Sequence, residues 1–196
     1  MRITPYAIRG AAIAMTAAVG LSLTSLSALA MDWTVDPSAS SIGFSGTHAG
    51  RDFTGVFEDW DAQVDFDPNA LDTSTVVVTV RTASASTGTL LYDKTLPNSE
   101  WFDAEAHPAA VFQASKFSST GDGQYEATGT LTIKGQELPI VLPFTLDMGG
   151  PGATVTGRVE MDRIALGMGT KSDPDAAWVS KTILVTVTLS ATRNGS

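Results

Sequence analysis

Two histidines are the only side chains here whose unperturbed pKa lies near neutrality, and they bound the acid–base and metal chemistry open to the chain. His107 follows Glu100, Asp103 and Glu105, so a carboxylate–imidazole site can be drawn around it. Zinc sites, however, draw on several His or Cys at short spacings. The chain has no cysteine, and His48 lies far upstream with Arg51 and Asp52 for neighbours. No metal is therefore expected. Serine and threonine are abundant, yet no G-x-S-x-G elbow occurs and no nucleophile is framed with a companion histidine. We expect no catalytic residue and no enzyme activity. His48 reads as an ordinary loop residue, with contact to a ligand's polar head as the alternative.

The elements that must position these groups begin with Leu96 to Gln113, LPNSEWFDAEAHPAAVFQ. Asn98 or Ser99 is placed to cap a short helical turn, with Glu100 and Asp103 at its positive end. Trp101 and Phe102 need a dry surface. Pro108 biases His107 towards extended backbone, so a strand should leave through Val111 and Phe112.

The first thirty residues have the texture of a secretory leader: Arg2 and Arg9, an apolar stretch from Ala11 to Leu26, and Ala28-Leu29-Ala30 before a cleavage point. The expected organisation is a signal peptide over 1–30 and one domain over 31–196, exported to the periplasm. Removing the leader's two arginines takes the net charge from −9 to −11. A body that acidic argues against nucleic acid and against an anionic membrane surface as main partners.

From Asp32 onward the apolar pattern has period two, in short runs broken by Gly, Pro, Asn and Asp, and this predicts an antiparallel sandwich or barrel. Val76, Val78 and Val80 share one face; so do Ala127, Gly129, Leu131 and Ile133, and so do Leu138, Ile140, Leu142, Phe144 and Leu146. Gly135-Gln136 has the composition of a type II′ hairpin turn. Pro139 and Pro143 place the strand that carries them at a seam, an edge or a bulge. The stretch from Thr87 to Asp103 lacks alternation, and a short helical segment is expected near residues 90–103. Some eight to ten strands result, and closing them removes exposed edges.

These pieces also fall in a known order. Leu96, then Trp101-Phe102-Asp103, then Pro108 with Phe112 resembles the signature of the YceI-like family. Trp33-Thr34-Val35-Asp36, Ser41-Ile42-Gly43-Phe44, Gly55-Val56-Phe57 and Val64-Asp65-Phe66-Asp67 are similar to its early strands, and Asp93 to an acid of its helical segment. Gly129-Thr130-Leu131-Thr132-Ile133-Lys134-Gly135 is the strongest short match, and Arg163 with Gly167 resembles a later Arg-x-x-x-Gly element. The likeness runs from Trp33 to Ala191. Where the family commonly has an aromatic after that arginine, this chain has Ile164-Ala165-Leu166, so the cavity closes on different side chains.

The resemblance implies an all-β, lipocalin-like antiparallel barrel of about eight strands whose dry interior holds a long isoprenoid lipid, polyprenyl or quinone-type, with no separate cofactor. On that reading Trp101 and Phe102 stand near the mouth. Phe44, Phe57, Val78, Val80 and Phe112 form the wall together with Leu131, Ile133, Phe144, Val159, Met161, Ile183 and Val185. Alternation alone is equally compatible with a barrel filled by its own side chains. The rival functions are an envelope module whose acidic loop, Glu58 to Asp61, docks a membrane redox or stress-response protein, and an enzyme acting on a lipid through His48 or His107.

Overall fold

A computed structural model describes residues 32–194. The expected leader, 1–30, lies outside the described residues. Eleven strands and one short helix follow in order: β1 (Asp32–Val35), β2 (Ser41–His48), β3 (Arg51–Phe57), β4 (Trp60–Asp65), β5 (Thr75–Arg81), β6 (Ala85–Ser86), α1 (Leu90–Thr95), β7 (Ala109–Gly121), β8 (Gln124–Ile133), β9 (Gln136–Gly149), β10 (Gly152–Asp162) and β11 (Thr182–Arg193).

All pairings are antiparallel, and eight strands close a ring in the order β1-β4-β5-β7-β8-β9-β10-β11 and back to β1. Strand β11 serves two partners on one side. Its end pairs β1 at Trp33↔Arg193, while Leu184 to Thr188 pairs β2. Between these partners Pro37 interrupts the ladder, and the Asp36 carboxylate accepts from the Ser38 amide at 2.9 Å and hydroxyl at 2.7 Å, fixing the bend. Strands β2, β3 and β6 extend from there as an arm.

The inward rows fall where period two places them, with Ala127, Leu131, Ile133, Ile140 and Leu146 buried. The β8–β9 connection differs from expectation. Lys134 and Gly135 both have positive φ, 48° and 71°, so the turn is Lys134–Gly135 and of type I′, one residue earlier than the type II′ turn at Gly135–Gln136. The wish of lysine to avoid that region is overridden by its side-chain bonds, described below. Pro139 and Pro143 behave as predicted: β9 pairs β10 only from Phe144 to Gly149, so both prolines lie where the two strands have splayed apart. A missing donor costs least there.

The helical expectation over 90–103 is met only by α1, whose six residues end at Thr95. Leu96 to Ala106 continues as successive turns. Glu100 and Asp103 therefore do not sit at a helix N-terminus. The Asn98 carbonyl accepts the amides of Trp101 and Asp103, and the Glu100 carboxylate is used elsewhere.

Candidate functional site

The inward rows do not meet. They surround a cavity of about 250 Å³, a hollow larger than the ~150 Å³ that suffices to admit a benzene-sized guest into an apolar core. All of the residues expected to form the wall and mouth line it, from Phe44 and Phe57 on the arm to Ile183 and Val185 on β11. Among the described residues Arg163 is the single charged side chain in the lining. Two packed clusters bracket the space, one around Phe66, Phe117 and Leu146, the other around Phe102, Leu166 and Met168; Phe112 and Leu142 pack against both.

At the first end the seal is made of rings. Phe66 meets Phe117, Tyr125 and Phe144 edge-on at centroid distances of 5.3, 5.5 and 5.8 Å, and the Trp33 indole donates to the Phe66 carbonyl at 2.8 Å. At the second end the seal is a polar knot covered by Trp101. Arg163, 1% exposed, donates from Nε to the Ser180 carbonyl, from Nη1 to that of Met168, and from Nη2 to that of Val179. Its Nη2 also meets the Asp173 carboxylate at 2.6 Å. The guanidinium lies 5.6 Å from the Trp101 ring centre. Gly169, at φ 69°, lets the backbone pass between them, since a Cβ there would come within 2.7 Å of Arg163 Nη1 and 3.1 Å of the Trp101 ring.

Two further side chains tie this 163–181 connection to its neighbours. Glu100 Oε1 accepts from the Lys171 and Ser172 amides, both at 2.8 Å, and from the Ser172 hydroxyl at 3.0 Å. Lys134 Nζ reaches from its hairpin to the carbonyls of Glu100 at 3.1 Å and Gly167 at 2.7 Å. Backbone donation, first from Ser172, holds the Glu100 carboxyl below its usual range; Val179, Trp178 and Ala177 amides and then Arg163 do the same for Asp173. Burial lowers the Lys134 amine.

Outside Trp101 lies a second hollow of about 240 Å³, which shares Phe53, Leu96, Trp101 and Val179 with the first. His48 and Tyr92 face it, joined by a 2.7 Å bond from Nδ1 to the phenol oxygen. His107 is not here: its carbonyl accepts from the Thr82 hydroxyl, and its ring packs on Gly135. Among the described residues no group of three or more His, Asp or Glu is arranged to hold a metal.

The antiparallel barrel agrees with what is found among known proteins. The model of the YceI-like domain matches residues 33–191. The chain belongs to the YceI-like family. A UPF0312 protein of Ectopseudomonas mendocina is 32% identical over 127 residues, which cover 63% of this chain and 66% of that protein, just under two thirds of its length. The crystal structure of Burkholderia cenocepacia BcnA superimposes with a TM-score of 0.78 at 30% identity, over 81% of this chain and all of that one. A polyisoprenoid binding domain from Saccharophagus degradans, implicated in plant cell wall breakdown, shares the fold with a TM-score of 0.65 at 12% identity, over 83% and 98% of the two chains.

The YceI-like signature residues have physical tasks in this chain. Phe102 is buried against Phe57 at 5.7 Å, and Arg163 is the hub of the loop-end closure. Leu166, in the segment that departs from the family, is buried in the cavity lining. Sequence reasoning missed Asp173, Tyr92 and the stapling by Glu100 and Lys134. An S-D-P-D run after an arginine carries a signal for a carboxylate partner; nothing local marks Tyr92, whose partner lies at the far end of another element.

Proposed function

We propose that this YceI-like protein is a non-catalytic periplasmic carrier that encloses an isoprenoid lipid in its barrel. The observation that carries the reading is the cavity itself, whose lining is apolar throughout apart from one arginine already paired to Asp173. The description of the Saccharophagus degradans neighbour as polyisoprenoid binding supports the same class of guest. Such a lining discriminates little among apolar chains by hydrogen bonding, so it selects by length, girth and curvature. Each isoprene unit withdrawn from water contributes up to about 4 kcal/mol, at ~0.8 per carbon, and ordering of the guest offsets much of that sum.

The test is mass spectrometry of an organic extract from protein exported and purified without detergent. Its companion is the double variant Leu131→Trp, Ile133→Trp, which fills the cavity from two buried positions on β8. The parent should yield a stoichiometric isoprenoid, and the variant, folded by circular dichroism, none. The same lipid recovered from the filled variant would sink the reading. An empty parent that also fails to take up added polyprenol would favour a docking module for a membrane redox protein.

A further inference from the structure

We propose that the His48–Tyr92 pair is the head-group site of this carrier and that it selects a neutral, oxygen-bearing head, a hydroxyl or phenol, over a phosphate. The inference rests on the carrier reading and adds to it where the polar end of the guest lies and what it is.

The main cavity offers a head group nothing to bind. Its one cation, Arg163, is committed to Asp173 and to backbone carbonyls. The outer hollow is the next space along, set against the first across the side chains of Phe53, Leu96, Trp101 and Val179, which line both. Of its polar lining groups, Thr87 is bound to Asp93 at 2.7 Å and Thr95 to the Leu91 carbonyl at 2.7 Å. The Trp101 indole N–H, a donor only, has no hydrogen-bond partner among the described residues; His48 and Tyr92 are the remaining groups that can both donate and accept, and among the described residues each side chain's sole hydrogen-bond partner is the other.

Two neutral arrangements of that bond exist. If the phenol donates to Nδ1, then Nε2–H is a free donor and the phenol oxygen a free acceptor. If Nδ1–H donates, the phenol O–H is the donor and Nε2 the acceptor. Either way the pair presents one donor and one acceptor, the complement of a hydroxyl, beside the indole N–H of Trp101. A phosphate needs cationic or multiple N–H donors once it leaves water. Among the described residues no lysine, arginine, aspartate or glutamate lines this space. The pair is also held in place: the Tyr92 ring packs edge-on against His48 at 5.4 Å and Phe53 at 6.4 Å, and His48 bridges Val179.

The experiment titrates the parent with a polyprenol, its monophosphate and the hydrocarbon of equal chain length, following quenching of tryptophan fluorescence at pH 8. The alcohol should bind about tenfold more tightly than the hydrocarbon, the size of one or two good hydrogen bonds, and more tightly than the phosphate. Tyr92→Phe, which keeps the ring packing, and separately His48→Phe should bring the alcohol down to the hydrocarbon while leaving hydrocarbon binding unchanged. Equal binding of alcohol and hydrocarbon by the parent, a preference for the phosphate, or a preference for the alcohol that survives both variants would each overturn the head-group site and leave the carrier standing. Failure of the hydrocarbon and alcohol alike to bind would bring down both.

Discussion

The barrel's two ends are shut by different chemistry. Around Phe66 the closure is four rings and an indole hydrogen bond, all within strands or beside them. Around Arg163 it is an ion pair, a set of carbonyls and three turns, draped over the place where β9 and β10 part. Opening the ring end exposes apolar surface and gives up dispersion contacts, with no hydrogen bonds to water in return. Directional bonds at the loop end can be exchanged one by one for water. On the proposed carrier reading, the ring end holds the lipid and the loop end lets it pass. The apolar side chains most exposed to solvent, Leu90 at 69%, Leu91 at 70% and Trp178 at 64%, belong to segments of the second end.

The comparison breaks first at the rings. Phe66→Ala removes the side chain that touches three others, and the expected loss is about 3–5 kcal/mol in urea denaturation. The unfolding transition should stay single, because that end is part of the closed ladder. A loss below about 1 kcal/mol would mean that the seal contributes little to stability.

Arg163→Met sharpens the contrast. It leaves Asp173 buried without its cation and several carbonyls without donors, yet the damage should be concentrated in 163–181. Amide exchange there is expected to rise at least tenfold while β5, β7 and β8 keep their protection, and a bound isoprenoid should leave faster. Uniform loss of protection over the barrel would show that the two ends are one cooperative unit.

Acid offers the same contrast without mutation. Asp173 and Glu100 are both held below the usual carboxylate range, by backbone amides above all. A depressed folded pKa gives stability that is complete above the unfolded value, about 4, and is lost as pH falls through that value towards the lowered one. Below about pH 4 Trp101 should become accessible to quencher before Trp33 does. Simultaneous exposure of both would count against separate closures.

How much of this was legible beforehand follows from where each contact's partners lie. The wall was readable because alternation is a local property: a strand's inward row is set by its own sequence, and Val78, Leu131, Phe144 and Val185 fall where period two puts them. The hollow was not, since the same rows fit a filled core, and only the family resemblance pointed to it. The mouth was readable in its aromatic and arginine signature and unreadable in its wiring. Glu100 was assigned to a helix end by a local rule, but its partners are some seventy residues away. The Lys134–Gly135 turn was misplaced for a related reason. A lysine accepts positive φ there because its ammonium is held by two carbonyls from distant segments.

The smallest effect concerns the ring end's one polar flaw. Asp65 lies opposite Asp32 in the β1–β4 ladder, and its Oδ1 is buried without a hydrogen-bond partner among the described residues. Burial, and then the neighbouring charge of Asp32, raise its pKa. A raised carboxyl pKa works against folding in the opposite sense to Asp173: the folded state holds the proton more readily than the unfolded chain. Stability therefore falls as pH climbs from the ordinary carboxylate value through the raised one, and the full cost persists above it. Asp65→Asn removes the charge and keeps the shape. It should raise the melting temperature slightly at pH 7 and leave it unchanged near pH 4, where the parent begins to protonate in both states. A gain of equal size at both pH values would trace the effect to packing; a loss at pH 7 would mean that the carboxylate has a partner there and that the ring end, too, depends on a directional contact.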